Sequence, residues 1–244
     1  MTTVSGTTQS DQRVRLLRDG LVVATGDDAL NEAADRLIGG DVVAIPTDTV
    51  YGLAASLGSP EALTSIFRIK GRAADKSLPV LIDDVATAAR LIRAPAGATD
   101  GRLDLLLTLA SRYWPGALTV ALPGHGDLPP AVLAHDGTVG LRLPDSRVAR
   151  DVIGRAGGAL AVTSANPSGS EPALDADDVG KLLGSGRSGL RWVLDAGAAP
   201  GGVASTVIGL EGEHLVVHRH GAVGAGELQE QWVAIRRHST GLPR

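Results

Sequence analysis

Six polar segments of the chain carry residue types that could bind and activate small anionic substrates. In Pro46-Thr47-Asp48-Thr49-Val50-Tyr51-Gly52-Leu53, hydroxyls and one carboxylate crowd between a buried apolar run and a glycine. That suits either a small polar ligand or an ordinary Thr/Asp-capped turn. In Arg68-Ile69-Lys70-Gly71-Arg72, with Lys76 close behind, cations could form a fork around a polyphosphate, because Arg and Lys supply both charge and directed donors. At a helix C-terminus the same cations would also complement the dipole, worth about 0.3–1 kcal/mol each. Thr138, Gly140 and Arg142 share one face of a strand, where the guanidinium could grip a carboxylate or merely blunt an edge. Ser164 and Asn166 sit in a short polar loop straight after a strand, which could equally be a plain turn before Pro167. Ser205 lies in a Gly-rich loop entering another strand, and Arg219 ends a later one. His218 and His220 flank Arg219, but an i, i+2 pair without further ligands nearby does not make a metal site, and no protein-held metal is expected.

Other chemistries are narrowed by absence. The 244 residues include no cysteine, which excludes thiol catalysis, disulfides and Cys-ligated zinc. There is no GxxxxGK[ST] phosphate loop, no GxGxxG after a strand, no G-x-S-x-G elbow and no HExxH helix. A formal net charge of -4, with three Trp, two Tyr and one Phe, argues against a mainly electrostatic or stacking grip on nucleic acid. No apolar run approaches the ~20 residues of a bilayer span, and the polar start MTTVSGTTQSDQ lacks a signal-like apolar region. The sequence therefore reads as cytoplasmic, without membrane association.

The elements that must position these residues are short. Helices are predicted over Asp27–Ile38, Glu61–Ile69, Val85–Ile92, Leu103–Trp114, Val148–Arg155, Asp177–Leu183 and Glu227–Arg236. Strands are predicted over Val42–Ile45, Leu78–Ile82, Leu118–Leu122, Val139–Leu143, Leu160–Thr163, Trp192–Leu194, Thr206–Ile208 and Leu215–Val217. This alternation implies one α/β domain around a mixed sheet. Residues 1–12 read as a flexible tail, 13–222 as the catalytic domain and 223–244 as a C-terminal helix and tail, joined at the Gly-rich stretch 221–226.

Taken in order, PTDTVYGL at 46–53, Lys70 and Arg72, WPGALTV at 114–120, TVGLRLP at 138–144, Ser164 with Asn166, STV at 205–207 and Arg219 resemble the YrdC-type threonylcarbamoyl-AMP synthase family in its single-domain form. The resemblance implies a twisted mixed sheet with helices around a concave, positively charged cavity. It implies conversion of L-threonine, bicarbonate and ATP, with Mg2+, to threonylcarbamoyl-AMP and pyrophosphate, for threonylcarbamoyladenosine modification of transfer RNA. Carried over residue by residue, Thr49, Arg142, Ser164 and Ser205 would hold threonine. Arg72, Lys76, Thr138, Asn166 and Arg219 would hold ATP, with Lys70 and Arg72 as the catalytic cations. A downstream threonylcarbamoyl transferase complex would take the product, and the basic concave surface that the resemblance implies would suit contact with transfer RNA or double-stranded RNA.

The chain departs from the family pattern at four places, one of them Arg72-Ala73-Ala74, which lacks the Pro often seen after this Arg. Lys76 and Leu81 stand where many relatives carry an Asn and a His, and Leu174 stands near a position where relatives carry a hydroxyl. The longer branch of the family has an additional C-terminal domain, which this sequence is not expected to include. Two rival readings use the same residues: an RNA-binding module, and a paralogue of the fold with altered activity, against which Ser164-Ala165-Asn166 speaks.

Overall fold

The computed structural model describes residues 14–16, 21–73, 75–93, 101–184 and 189–240; the tail expected at 1–12 lies outside them. Among the described residues, eleven strands form one mixed sheet: β1 Val14–Leu16, β2 Val22–Ala24, β3 Val43–Ile45, β4 Gly52–Ser56, β5 Val80–Ile82, β6 Leu118–Pro123, β7 Thr138–Arg142, β8 Ala159–Ser164, β9 Trp192–Leu194, β10 Thr206–Glu211 and β11 His214–Arg219. Their order across the sheet is β1-β2-β9-β3-β4-β8-β5-β7-β6-β10-β11. Seven α-helices accompany them among the described residues: α1 Asp27–Ile38, α2 Pro60–Lys70, α3 Val85–Leu91, α4 Gly101–Ala110, α5 Arg147–Arg155, α6 Ala176–Leu183 and α7 Ala225–Thr240.

Local signals explain most boundaries. Ser59, Asp84, Ser146 and Asp175 each accept a backbone N–H in the first turn of their helix, caps typically worth ~1 kcal/mol. α4 ends four residues before the expected Trp114, because the chain tightens into i→i−3 bonds, Arg112 N to Leu109 O and Tyr113 N to Ala110 O, and the residue before a proline disfavours the helical region. β5 begins two residues later than expected. Pro79 has no N–H to give the ladder, and Leu78 N donates instead to Ala131 O. Three elements are not anticipated from the sequence. β1 and β2 are three-residue strands, and β4 continues from the Gly52 that reads as a turn in sequence.

The two faces of the sheet are covered unequally. On one, α2, α4, α6 and α7 bury a large apolar cluster that includes Ile66, Leu109, Val179 and Trp232. The stretch 221–226 is tied down: Ala222 N donates to Ala204 O and Val223 N to Thr206 Oγ1, and α7 packs against α4 and β11. On the other face, α1 and α5 pack against each other and against β3, β4, β5, β8 and β9 through Ala33, Leu37, Val152 and Ile153. These two helices do not extend over β7, β6, β10 and β11. Leu81 and Val162 belong to this packed cluster and also to the lining of the open part of the sheet.

Candidate active site

The uncovered part of the sheet is the floor of a trough made of three adjoining hollows. The inner one is lined by Thr47, Thr49, Arg142, Ser164, Ser205 and Arg219, among others. An outer one, of about 490 Å3, shares Pro79, Thr119 and Arg219 with it and adds Arg72, Thr138 and His218. The third holds Lys70, Arg72, Lys76, Ser164 and Asn166. All ten residues singled out from the sequence therefore border one connected depression, although they come from three strands (β7, β8 and β11), helix α2 and the loops between elements.

The 47–50 turn is built by Thr47. Its Oγ1 accepts from Thr49 N and Val50 N and donates to Val50 O at 2.7 Å. That frees the next two side chains for Arg142, whose Nη2 lies 2.5 Å from Asp48 Oδ1 and whose Nη1 donates to Thr49 Oγ1 at 3.0 Å. Arg142 Nε donates to Gly116 O, so the guanidinium is held from three sides at the end of β7. Burial weakens its hold on the proton and Asp48 restores part of it.

At the other wall, Arg219 donates through Nε and Nη2 to Ser205 O and through Nη2 to Ser205 Oγ. Ser205 Oγ also lies 2.8 Å from Thr119 Oγ1. Arg219 has its pKa lowered by burial first and then by the charges of Arg142 and Arg72, which places the three guanidiniums within electrostatic reach of one another. Arg72 is anchored by Nε to Lys76 O and by Nη2 to Ser77 O, and burial lowers its pKa too, against Asp75.

Lys70 and Arg72 are brought to one side by the residue between them. Gly71 caps α2 in the left-handed region (φ 59°), where a side chain would be strained. Arg72 N then bonds back to Phe67 O. The Lys70 ammonium is buried, and it donates to Ser164 O at 2.5 Å, to Asn166 O at 2.8 Å and to Asn166 Oδ1 at 2.9 Å. Its three hydrogens are thus matched by protein acceptors. Burial, and then Arg72, push its pKa down to about 8. Asn166 Nδ2 donates to Ser170 O and its Oδ1 accepts from Ser164 Oγ at 2.6 Å, so the Ser164–Asn166 turn is a closed network with Lys70 at its centre.

Other positions are less engaged. Thr138 gives its hydroxyl to Asp136 Oδ1 at 2.7 Å. Lys76 is exposed and borders the third hollow. Of the departures from the family pattern, Leu81 lines the inner hollow, whereas Leu174 lines none of the three. Sequence reasoning did not assign roles to Asp48, Thr119 or Asp136. Asp48 lay inside a quoted motif, and Thr119 was visible as a lone hydroxyl within an apolar strand. Asp136 left its only sequence trace in the Asx-type spacing to Thr138.

The molecule is thus an α/β protein whose half-uncovered mixed sheet carries a cation-lined trough with converging hydroxyls. A family model, Sua5_yciO_yrdC, described as "Telomere recombination", matches residues 35–221, and the chain belongs to this Sua5/YciO/YrdC family. It is 35% identical over 208 residues to threonylcarbamoyl-AMP synthase of Bacillus subtilis, a match covering 85% of this chain and 57% of that one. It is 32% identical to the Homo sapiens protein of the same name, covering 88% and 73% respectively. Pyrococcus abyssi Sua5 complexed with L-threonine superposes with a TM-score of 0.74 at 31% identity, over 83% of this chain and 56% of that one. Escherichia coli YciO shares the fold, with a TM-score of 0.70 at 23% identity. The chain thus spans little more than half of the B. subtilis and P. abyssi relatives.

Proposed function

We propose that the chain is an L-threonylcarbamoyladenylate synthase, a nucleotidyltransferase. Threonine and bicarbonate condense to a carbamate with loss of water. A carbamate oxygen then attacks the α-phosphorus of ATP, forming threonylcarbamoyl-AMP as the bond to pyrophosphate breaks. Neither step needs a protein nucleophile. Both need anions held together against their repulsion, and orientation alone can lower such barriers by about 7–11 kcal/mol.

The observation that supports this reading is the convergence of Arg72, Arg142 and Arg219 on one trough beside Thr49, Ser164 and Ser205. Arg142, already fixed by Asp48 and Thr49, suits the threonine carboxylate through its remaining N–H groups. Ser164, Ser205 and Thr49 offer hydroxyls to the amino acid. Arg72 and Arg219, with Lys76, Thr138 and Asn166, suit the nucleotide, and the two arginines meet charge developing on the departing pyrophosphate. Lys70 acts from behind, holding the Ser164–Asn166 turn. The P. abyssi relative bound to L-threonine favours the same amino acid here.

Magnesium enters this reading with the nucleotide. The trough offers mainly cations, and among the described residues no cluster of three carboxylate or imidazole groups is placed to hold a metal. Mg2+ is commonly held by substrate phosphates and water, and there it would screen the triphosphate charge. The adenylate would pass to a threonylcarbamoyl transferase complex acting on transfer RNA in the cytoplasm, where direct RNA contact remains a further property to test.

The decisive experiment incubates the chain with ATP, threonine and bicarbonate and follows pyrophosphate, omitting each substrate in turn. Release that needs all three supports the synthase. Release without threonine would make it a generic ATP hydrolase and overturn the reading.

A further inference from the structure

Around the outer hollow, β6 and β7 each give every second residue, Thr119 and Ala121 from one and Thr138 and Gly140 from the other, as the pleat requires. β11 breaks this alternation. Its register with β10 runs Val207↔Arg219 and then Ile208↔Val217, which leaves His218 as an extra residue in a β-bulge. Bulges re-aim side chains and concentrate beside active sites. Here His218 and Arg219, neighbours that a regular strand would point to opposite faces, both line the outer hollow.

A second feature seats the ring. A Cβ on Gly209 of β10 would lie 2.5 Å from His218 Nε2, so the imidazole rests against bare backbone that only glycine leaves available. The hollow beside it is paved with small side chains, Ala121 and Gly140, which leave room for a flat group. Asp136 lines the same hollow. Arg219, the next residue, is pinned to Ser205 and carries the cation.

We propose that His218 is a specificity-determining residue, its imidazole forming the wall against which the planar base of the nucleotide stacks while Arg219 serves the phosphates. This inference rests on the nucleotide-binding part of the proposed function. It gives the bulge and Gly209 one shared purpose, and it turns a histidine that looked incidental in the sequence into a reader of the base.

Calorimetric titration of the full chain with ATP and, separately, with inorganic tripolyphosphate tests it. His218→Ala is expected to weaken ATP binding about tenfold, within the range for losing one base–aromatic stack, and to leave tripolyphosphate binding unchanged. His218→Phe keeps a ring and should retain most of the ATP affinity. Gly209→Val, which displaces the ring, should behave like His218→Ala. Equal ATP affinity in wild type and His218→Ala would overturn the proposal, as would an equal loss for both ligands. A wild type that binds ATP yet releases no threonine-dependent pyrophosphate would sink the synthase reading alone. One that binds neither ligand would sink both.

Discussion

Lys70 and Asn166 are joined twice by a single ammonium, which donates to both the carbonyl and the side-chain oxygen of Asn166 at 2.8 and 2.9 Å. The end of helix α2 is thereby fastened to the turn that leaves strand β8. Two motif segments almost a hundred residues apart become one rigid corner of the trough.

This corner is expected to respond to pH. With its pKa held down to about 8 by burial and by Arg72, folded Lys70 loses a proton that an unfolded chain keeps up to about 10.4. The cost of burying the charge is therefore full below pH 8 and is relieved as pH rises toward 10.4, so this group's contribution to stability increases across that window. Activity should move the other way, because a neutral amine leaves the Ser164–Asn166 turn one donor short. Pyrophosphate release by the wild type should fall through pH 8–9. Lys70→Met, slower throughout, should show no such limb, and a wild-type profile flat to pH 10 would contradict the account.

Asp48 holds Arg142 in a pair that is almost wholly enclosed, at 2.5 Å. Removing one partner of a buried pair typically costs about 3–5 kcal/mol. Asp48→Ala should lose stability on that scale in urea denaturation and raise the KM for threonine more than that for ATP. A variant with unchanged urea midpoint and unchanged KM would show that the pair is dispensable.

Arg219 both steadies Ser205 and faces the outer hollow. Arg219→Ala is expected to reduce kcat by about 10²-fold, the scale seen when one preorganised donor is lost from a developing charge. Arg72→Ala should abolish adenylate formation. Single-turnover measurements with labelled ATP would distinguish loss of chemistry from loss of binding.

Gly201 packs where a Cβ would sit 2.6 Å from Asp48 O, and Gly202 N donates to Thr49 O at 2.8 Å. Gly201→Ala must push the 201–205 loop away from the 47–50 turn, at a cost of about 1–3 kcal/mol. Threonine affinity measured by titration should fall, with tripolyphosphate affinity unaffected.

Much of this arrangement is legible in the sequence. Trp192–Leu194 and Asp27–Ile38 coincide with their predicted bounds, because continuous apolar runs and a Gly-Gly stop leave little freedom. β1 and β2 were not, since three-residue strands lack the length over which periodicity shows. β4 was obscured because Gly52, which looks like a turn signal, begins a central strand. The site residues were found by type and motif, but their partners were not. Nothing local says that Lys70 faces acceptors 94 and 96 positions away, or that Asp48 turns to Arg142. The bulge at His218 was invisible for the same reason, as it exists only in the register between two strands.

Leu81 and Val162 stand at the border where the cover given by α1 and α5 stops, each touching packed interior on one side and the inner hollow on the other. Any drift in amino-acid preference that reshapes the hollow from this side must also repack the interior. Variation along β7, β6 and β11 carries no such penalty, so divergence in what these proteins accept should concentrate on that side of the floor.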